Sequence, residues 1–435
     1  MRAARLRARR HRSWTWGLEG LEQRCLLTGD VTIPLDPSFD QFGDQISTVM
    51  AYEGGSKVTF GIFDTGASAV TIGAEDQALF DFLEDPIPIK VPGGAVAEGI
   101  GGAIIGDVSM PGRILADGFH AAAITFDDQG FPVFNMTLGD GSASTPGIQV
   151  FVGTETGSPD LPTITGTPVL VPSADNPNGL AAMVDMTGAT LDFSDLVPGL
   201  IVPIPDVHFV APTTTIAATP DTTQVLKFPL ESFGFDNYAN PGDLITESYI
   251  RLLPNVSTTE HTNSTSGGHF LFDTGSQLTI ISTAMANQLG LDLEHPETTI
   301  TVQGVGGTED IPGFTIDTLS LPTIDDTNVH LTNVPIYVLD IADGVDGILG
   351  MNSFDTANQF LFNPYDPMGP SLSVTYLTDP NRGAPPDLGD LGVLLGHGGR
   401  NSGILHAIRG HSSPIFDVGA KADLQVNAPT ASSFG

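Results

Sequence analysis

Two tripeptides in this 435-residue chain have the residue types and setting to do chemistry together: Asp64-Thr65-Gly66 and Asp273-Thr274-Gly275. One alone would be weak evidence, because Asp-x-Gly is a common turn. Two copies in matched surroundings are different. Phe60-Gly61-Ile62-Phe63 leads into the first and His269-Phe270-Leu271-Phe272 into the second, and Val70-Thr71-Ile72 and Leu278-Thr279-Ile280-Ile281 follow them. Repetition of a turn would not require both copies to keep an ionisable group. Two carboxylates brought close cannot both ionise, so they share one proton. Such a dyad can hold a water, the ionised acid acting as general base while the protonated acid polarises a carbonyl. That chemistry needs no metal and no cofactor. Thr65 and Thr274 can each reach across to the opposite backbone, and Gly66 and Gly275 allow a tight turn and close backbone approach.

The elements that must position these acids are strands. Short apolar runs rich in Val, Ile, Thr and Phe, broken by Gly, Pro, Asp and Asn, predict an all-β chain with a few short helices. Ser282 can cap a helix over Thr283–Leu289 that Gly290 stops, and Ala74–Leu83 is its counterpart in the first half. Downstream of each acid comes a glycine cluster, Gly99-Ile100-Gly101-Gly102 and Gly304-Val305-Gly306-Gly307. Further on come Ile164-Thr165-Gly166 and Ile348-Leu349-Gly350. This internal repeat divides the chain into a basic leader (1–29), a first lobe (30–196), a Pro/Thr-rich linker (197–223), a second lobe (224–379) and a Gly-rich tail expected to be disordered (380–435). Residues 127–159 read as an insertion in the first lobe.

Composition narrows the function classes. There are 51 acidic and 16 basic residues, a net charge of −35. Such a chain repels phosphate backbones, so no nucleic-acid partner is expected. No run reaches the ~20 apolar residues of a membrane-spanning helix. The single cysteine, Cys25, allows no intramolecular disulfide and no Cys-based zinc site. The histidines are scattered, and the Asp-rich turns lack a calcium loop with its closing Glu.

With these motifs in place, the chain over roughly residues 49–376 resembles the pepsin-like and retroviral-type aspartic peptidases, most closely the retropepsin-like branch in a duplicated single-chain form. The resemblance implies a bilobal pseudo-two-fold β fold. It implies catalytic Asp64 and Asp273, supported by Thr65, Gly66, Ala67, Thr274, Gly275 and Ser276. The two Gly-x-Gly-Gly clusters would be tips of flap hairpins closing over an extended peptide. Ile164, Gly166, Ile348, Leu349 and Gly350 would pack beside the catalytic loops. Val345-Asp346-Gly347-Ile348-Leu349-Gly350-Met351-Asn352-Ser353-Phe354 looks very like the closing motif of bacterial members, whereas Thr165 replaces an apolar residue in the first-half partner. Pepsin-like enzymes usually place Ser or Thr after Asp-Thr-Gly, donating to the carboxylate. Here that residue is Ser276 in one lobe and Ala67 in the other, so Asp273 is expected to ionise first and Asp64 to keep the proton.

Leu21-Glu22-Gln23-Arg24-Cys25-Leu26-Leu27 resembles a short Leu-Glu-x-Arg-x-Leu-Leu tag at the start of many exported or surface proteins of one bacterial lineage. The expectation is therefore a secreted or cell-surface, monomeric aspartic endopeptidase acting on polypeptides. A catalytically silent surface binding or structural module of the same fold is the alternative.

Overall fold

The computed structural model describes residues 31–34, 46–53, 57–99, 102–118, 125–126, 132–133, 143–158, 161–192, 201–232, 251–304, 307–325, 327–354, 356–378, 415–416 and 425–426. Among them, strands dominate and two α-helices are present, Ala74–Phe82 and Thr283–Leu289. The strands form a ten-stranded sheet built mainly from the first half, an eleven-stranded sheet built mainly from the second, a five-stranded sheet joining them, and a separate two-stranded pair, Thr125–Phe126 with Pro132–Val133. This is an all-β bilobal fold of the aspartic-peptidase kind.

The strand that delivers each acid lies inside its sheet. Val58–Asp64 runs antiparallel to Ser47–Tyr52 on one side and parallel to Ile164–Gly166 on the other. Gly268–Phe272 sits likewise between Arg251–Glu260, antiparallel, and Gly347–Leu349, parallel. Gly166 is thus paired with Asp64, and Leu349 with Phe272. The close approach explains the glycines that follow: a Cβ on Gly166 would lie 2.0 Å from the Ala69 carbonyl oxygen, and one on Gly350 2.0 Å from that of Leu278. The departure at Thr165 also has a local cause. Its hydroxyl meets that of Thr48 at 2.6 Å in the buried sheet, filling space left beside Gly61, where a Cβ would come within 2.5 Å of it.

Alternation along a strand sends neighbouring side chains to opposite faces, so the residue before each acid points away from it into the core. Phe63 packs edge-on against Phe209 at 5.7 Å between ring centroids. Phe272 contacts Phe354, Phe360 and Phe362 at 5.3, 5.6 and 5.7 Å. Phe209, Phe360 and Phe362 belong to the five-stranded sheet, whose order is Ile201–Val210, Ala181–Asp192, Ala357–Asn363, Ser371–Tyr376, Leu226–Pro229. Both acids are therefore anchored from below on one shared aromatic core.

The second helix starts and stops as expected. The Ser282 side chain accepts from the Met285 amide at 3.3 Å, and Gly290 closes the helix with φ of 76°. Other boundaries move. Residues 201–210 of the expected linker are a strand, paired along its length with Ala181–Asp192. Prolines 203 and 205 are tolerated there because this strand is the sheet edge. The expected insertion is not all loop: Ala143–Ile148 pairs with Gly112–Asp117, and Phe151–Val152 pairs with Thr71–Ile72 inside the sheet. Val31–Pro34, assigned by sequence to the first lobe, adds a parallel strand to the second-lobe sheet along Asn328–Val338. The leader lies outside the described residues. So does the tail, apart from the two short strands Ile415–Phe416 and Gln425–Val426.

Removing the aromatic anchor is expected to cost far more than removing the helix cap. Phe272→Ala should destabilise the fold by about 3–5 kcal/mol and Ser282→Ala by about 1 kcal/mol. Denaturant unfolding of both variants checks the ranking.

Candidate active site

Asp64 and Asp273, 209 positions apart in sequence, come together at the junction of the two lobes. Four hydrogen bonds fix the junction reciprocally. The Thr65 hydroxyl donates to the Phe272 carbonyl at 2.8 Å and the Thr274 hydroxyl donates to the Phe63 carbonyl at 2.7 Å. Each hydroxyl also accepts from the other lobe's threonine amide, both at 3.1 Å. The carboxylates cross the same boundary. A Cβ on Gly66 would lie 2.6 Å from Oδ2 of Asp273, and one on Gly275 would lie 2.6 Å from Oδ2 of Asp64. Each lobe's glycine is thus required by the other lobe's acid.

Both acids are wholly buried, as are Thr65 and Thr274. Oδ1 of Asp64 accepts from the amides of Gly66 at 2.7 Å and Ala67 at 2.8 Å. Oδ1 of Asp273 accepts from Gly275 at 2.8 Å and Ser276 at 3.2 Å. The Asp273 carboxyl is pushed well above the usual carboxylate range, first by burial and then by the charge and hydrogen bond of Asp64. The amides of Gly275 and Ser276 pull it back only in part.

This arrangement corrects the expected division of the proton. The Ser276 hydroxyl does not reach the carboxylate: it donates to the Leu278 carbonyl at 2.9 Å and accepts the Leu278 amide at 3.3 Å. With that donor turned away, the shorter amide bonds lie on Asp64. The carboxyl that is pushed up is that of Asp273, which favours its proton-bound form.

The remaining expected site residues fall into two groups. Ile164, Gly166, Ile348, Leu349 and Gly350 lie beside the two Asp-Thr-Gly loops, where the Ala67 carbonyl accepts from the Thr167 amide at 3.0 Å and the Ser276 carbonyl from the Met351 amide at 2.9 Å. The glycine clusters end two hairpins, Ile89–Gly99 with Gly102–Ser109 and Thr298–Gly304 with Gly307–Pro322. Gly99 pairs with Gly102 and Gly304 with Gly307. The tip residues Ile100, Gly101, Val305 and Gly306 lie outside the described residues. Ala95 and Ile104 of the first hairpin join a small core with Ala67, Ala69 and Ile164. Val302 and Ile311 of the second join one with Leu278, Ile280 and Ile348. Sequence reasoning missed a carboxylate–imidazole group, Glu260, His261 and Asp317, with ligand atoms within 4.8 Å of one another. The His261 and Asp317 amides donate to Asp317 and Glu260, so this group ties an exposed turn.

Comparison with known proteins adds a family match over part of the chain. Residues 262–353, which hold Asp273, the second glycine-tipped hairpin and the Ile348-Leu349-Gly350 segment, match the family model described as Aspartyl protease. No curated protein sequence matches the chain. Two solved structures are similar at low identity. One is edgp, with 9% identity, a TM-score of 0.38, and coverage of 78% of this chain and 96% of that one. The other is Basic 7S globulin from soybean, with 10% identity, a TM-score of 0.39, and coverage of 78% and 98%. Likenesses of that size say nothing about chemistry. No helix among the described residues is long and apolar enough to cross a membrane.

The raised Asp273 carboxyl has a consequence for stability. Above the ordinary carboxylate value of 3.8 the unfolded chain has released a proton that the native dyad keeps. The native state then binds more protons, so stability should fall as pH rises from about 4 through the folded-state value and level off beyond it. Denaturant titrations against pH should show this fall in the parent chain and not in Asp273→Asn.

Proposed function

We propose that this chain is an aspartic endopeptidase built from two lobes of duplicated origin, with Asp64 and Asp273 as the catalytic pair. The observation that carries the reading is the reciprocal junction: both acids buried together, each seated against the other lobe's glycine, under crossed threonine bonds. The common order of elements in the two halves supports the duplication. In both, a strand runs into Asp-Thr-Gly and is followed by a short strand, a helix, a glycine-tipped hairpin and an apolar segment ending in glycine. The Aspartyl protease match over residues 262–353 supports the chemistry for the second lobe.

In this mechanism a water lies between the two carboxyl groups. Ionised Asp64 takes a proton from it while the oxygen adds to the scissile carbonyl carbon. Protonated Asp273 gives its proton to the carbonyl oxygen, yielding a neutral tetrahedral diol. Proton return to the amide nitrogen then lets the C–N bond break and a carboxyl and an amine leave. Buried hydroxyls and amides hold the pair in place, so little reorganisation is needed as charge moves. The peptide would lie extended under the two hairpins, bound by main-chain hydrogen bonds with side chains in alternating pockets. The full burial of both acids favours a second reading, a silent binding module of the same fold.

Hydrolysis of an unfolded protein substrate decides between them. The peptidase reading expects pepstatin-sensitive cleavage that Asp64→Asn and Asp273→Asn each lower by about 10²–10⁴-fold, and equal cleavage in the variants would overturn it. The pH–rate profile is expected to be bell-shaped, with its alkaline limb set by the raised Asp273 carboxyl. Ser276→Ala should leave the acidic limb in place, because that hydroxyl is bonded to Leu278 and not to the dyad.

A further inference from the structure

The two Asp-Thr-Gly loops are fastened from behind by different side chains. In each lobe the apolar segment that ends in glycine runs into a single turn of 3-10 helix, Thr167–Leu170 in the first and Met351–Phe354 in the second. The first amide of each turn donates to the carbonyl of the residue after Asp-Thr-Gly, Thr167 to Ala67 and Met351 to Ser276. Thr167 and Met351 therefore hold equivalent places, and there the lobes part. The Thr167 hydroxyl donates a second bond to the Ala67 carbonyl at 2.9 Å. Methionine has no such donor. The buried polar contacts of the second lobe lie further along its loop, where the Thr279 hydroxyl meets Asn352 Oδ1 and Ser353 Oγ, both at 2.7 Å. The first lobe has Val70, Pro168 and Val169 at those places.

Thr167 is buried, as are Ala67 and Asp64. A buried hydroxyl needs an acceptor, and a carbonyl oxygen with two lone pairs can take an amide and a hydroxyl together. The Ala67 amide in turn donates to Oδ1 of Asp64. Fixing Ala67 by its carbonyl from behind thus holds its amide toward the acid in front. An amide donor favours the charged form of a carboxyl, and it counts for more where water is excluded.

Other titratable groups near this acid are few. Residues 58–73 and 161–171 contain none apart from Asp64 itself. Across the junction, residues 268–281 add Asp273, which shares the proton, and His269, which is turned to Glu231 and Asp346. On the surrounding elements, Tyr52 donates to the Met110 carbonyl, Asp76 accepts from Thr163 and Asp107 accepts from the Gly93 amide. His208 and Asp206, on the strand that carries Phe209, pair with each other at 3.3 Å.

We propose that Thr167 is a positioning residue for Asp64: its hydroxyl locks Ala67 so that the Ala67 amide stays on Oδ1 and Asp64 is kept as the ionised member of the pair. The bias comes from a hydroxyl that one lobe has and the other lacks. The effect on turnover rests on the peptidase reading above, whereas the effect on titration of the pair does not.

Thr167→Val keeps the shape and removes the hydroxyl, and Thr167→Ser keeps the hydroxyl. Thr48→Val is the structural control, since it breaks a different buried hydroxyl pair of the same sheet, Thr48 with Thr165. On an unfolded protein substrate the acidic limb of kcat/KM is expected to move up by roughly 0.5–1 pH unit in Thr167→Val, with KM unchanged. It should return in Thr167→Ser and stay in place in Thr48→Val. The two acids titrate as a unit, so this limb reports the lower macroscopic value of the pair. An unmoved limb in Thr167→Val, or an equal shift in Thr48→Val, overturns the positioning role. The same chains with isotope-labelled aspartate carboxyl carbons give the titration directly by NMR, assigned against Asp64→Asn and Asp273→Asn. The lower value of the pair should rise there by the same amount in Thr167→Val, and an unmoved titration overturns the proposal. If Thr167→Val does not fold, Thr167→Ala is read in its place. Absence of hydrolysis from parent and variants alike would sink the peptidase reading and leave the carboxyl titration to decide the role of Thr167.

Discussion

Two acids have to share a place from which water is largely excluded, and the rest of the molecule is arranged around that constraint. Burial of a lone carboxylate is costly, and burial of two side by side is worse. The usual remedy, a neighbouring cation, would leave both acids ionised and remove the shared proton. No cation contributes to the shift of Asp273. Lys57, Arg113 and Lys227 are engaged elsewhere, with Asp85, Asp175 and Asp366. The bonds that meet the pair come from backbone amides, Gly66 and Ala67 on Asp64 and Gly275 and Ser276 on Asp273.

The same constraint explains why the repeated tripeptide is needed as a unit. Within a single lobe nothing demands glycine at 66 or 275, since neither has a left-handed backbone. The demand comes from the other lobe's carboxylate, which fills the space a Cβ would take. The threonines are likewise defined by their partners, each bonding a carbonyl from the opposite strand and accepting the opposite amide. Asp, Thr and Gly are therefore a property of the interface between lobes, and Phe63 and Phe272, one residue earlier, set the depth of both from below.

That logic also separates what could be read in the sequence from what could not. Ser282, Gly290 and the glycine-tipped hairpins act locally, through a cap, a left-handed stop and a turn, so composition and spacing reveal them. Residues 201–210 were hidden because Pro203 and Pro205 suggest a linker, and only the finished sheet shows that they occupy an edge. Thr165 looked out of place because its partner, Thr48, is 117 residues away. Val31–Pro34, Ile415–Phe416 and Gln425–Val426 pair with strands distant in sequence, where local patterning carries no signal. The direction of the Ser276 hydroxyl was out of reach for a similar reason. A serine can serve a carboxylate or a nearby carbonyl, and backbone geometry selects Leu278.

The division of roles within the pair follows from this last point. The residue directly after Asp-Thr-Gly differs between the lobes, Ser276 against Ala67, but the Ser276 hydroxyl is bonded to Leu278 rather than to a carboxylate. What remains unequal is geometry: the fourth amide bond is 3.2 Å on the Asp273 side and 2.8 Å on the Asp64 side. In a desolvated site unequal hydrogen bonding biases a shared proton more strongly than it would in water. On the proposed peptidase reading, the acid that serves as base also sets which way a peptide carbonyl faces on entry, so in a site of near two-fold symmetry backbone placement would decide the sense of the bound chain.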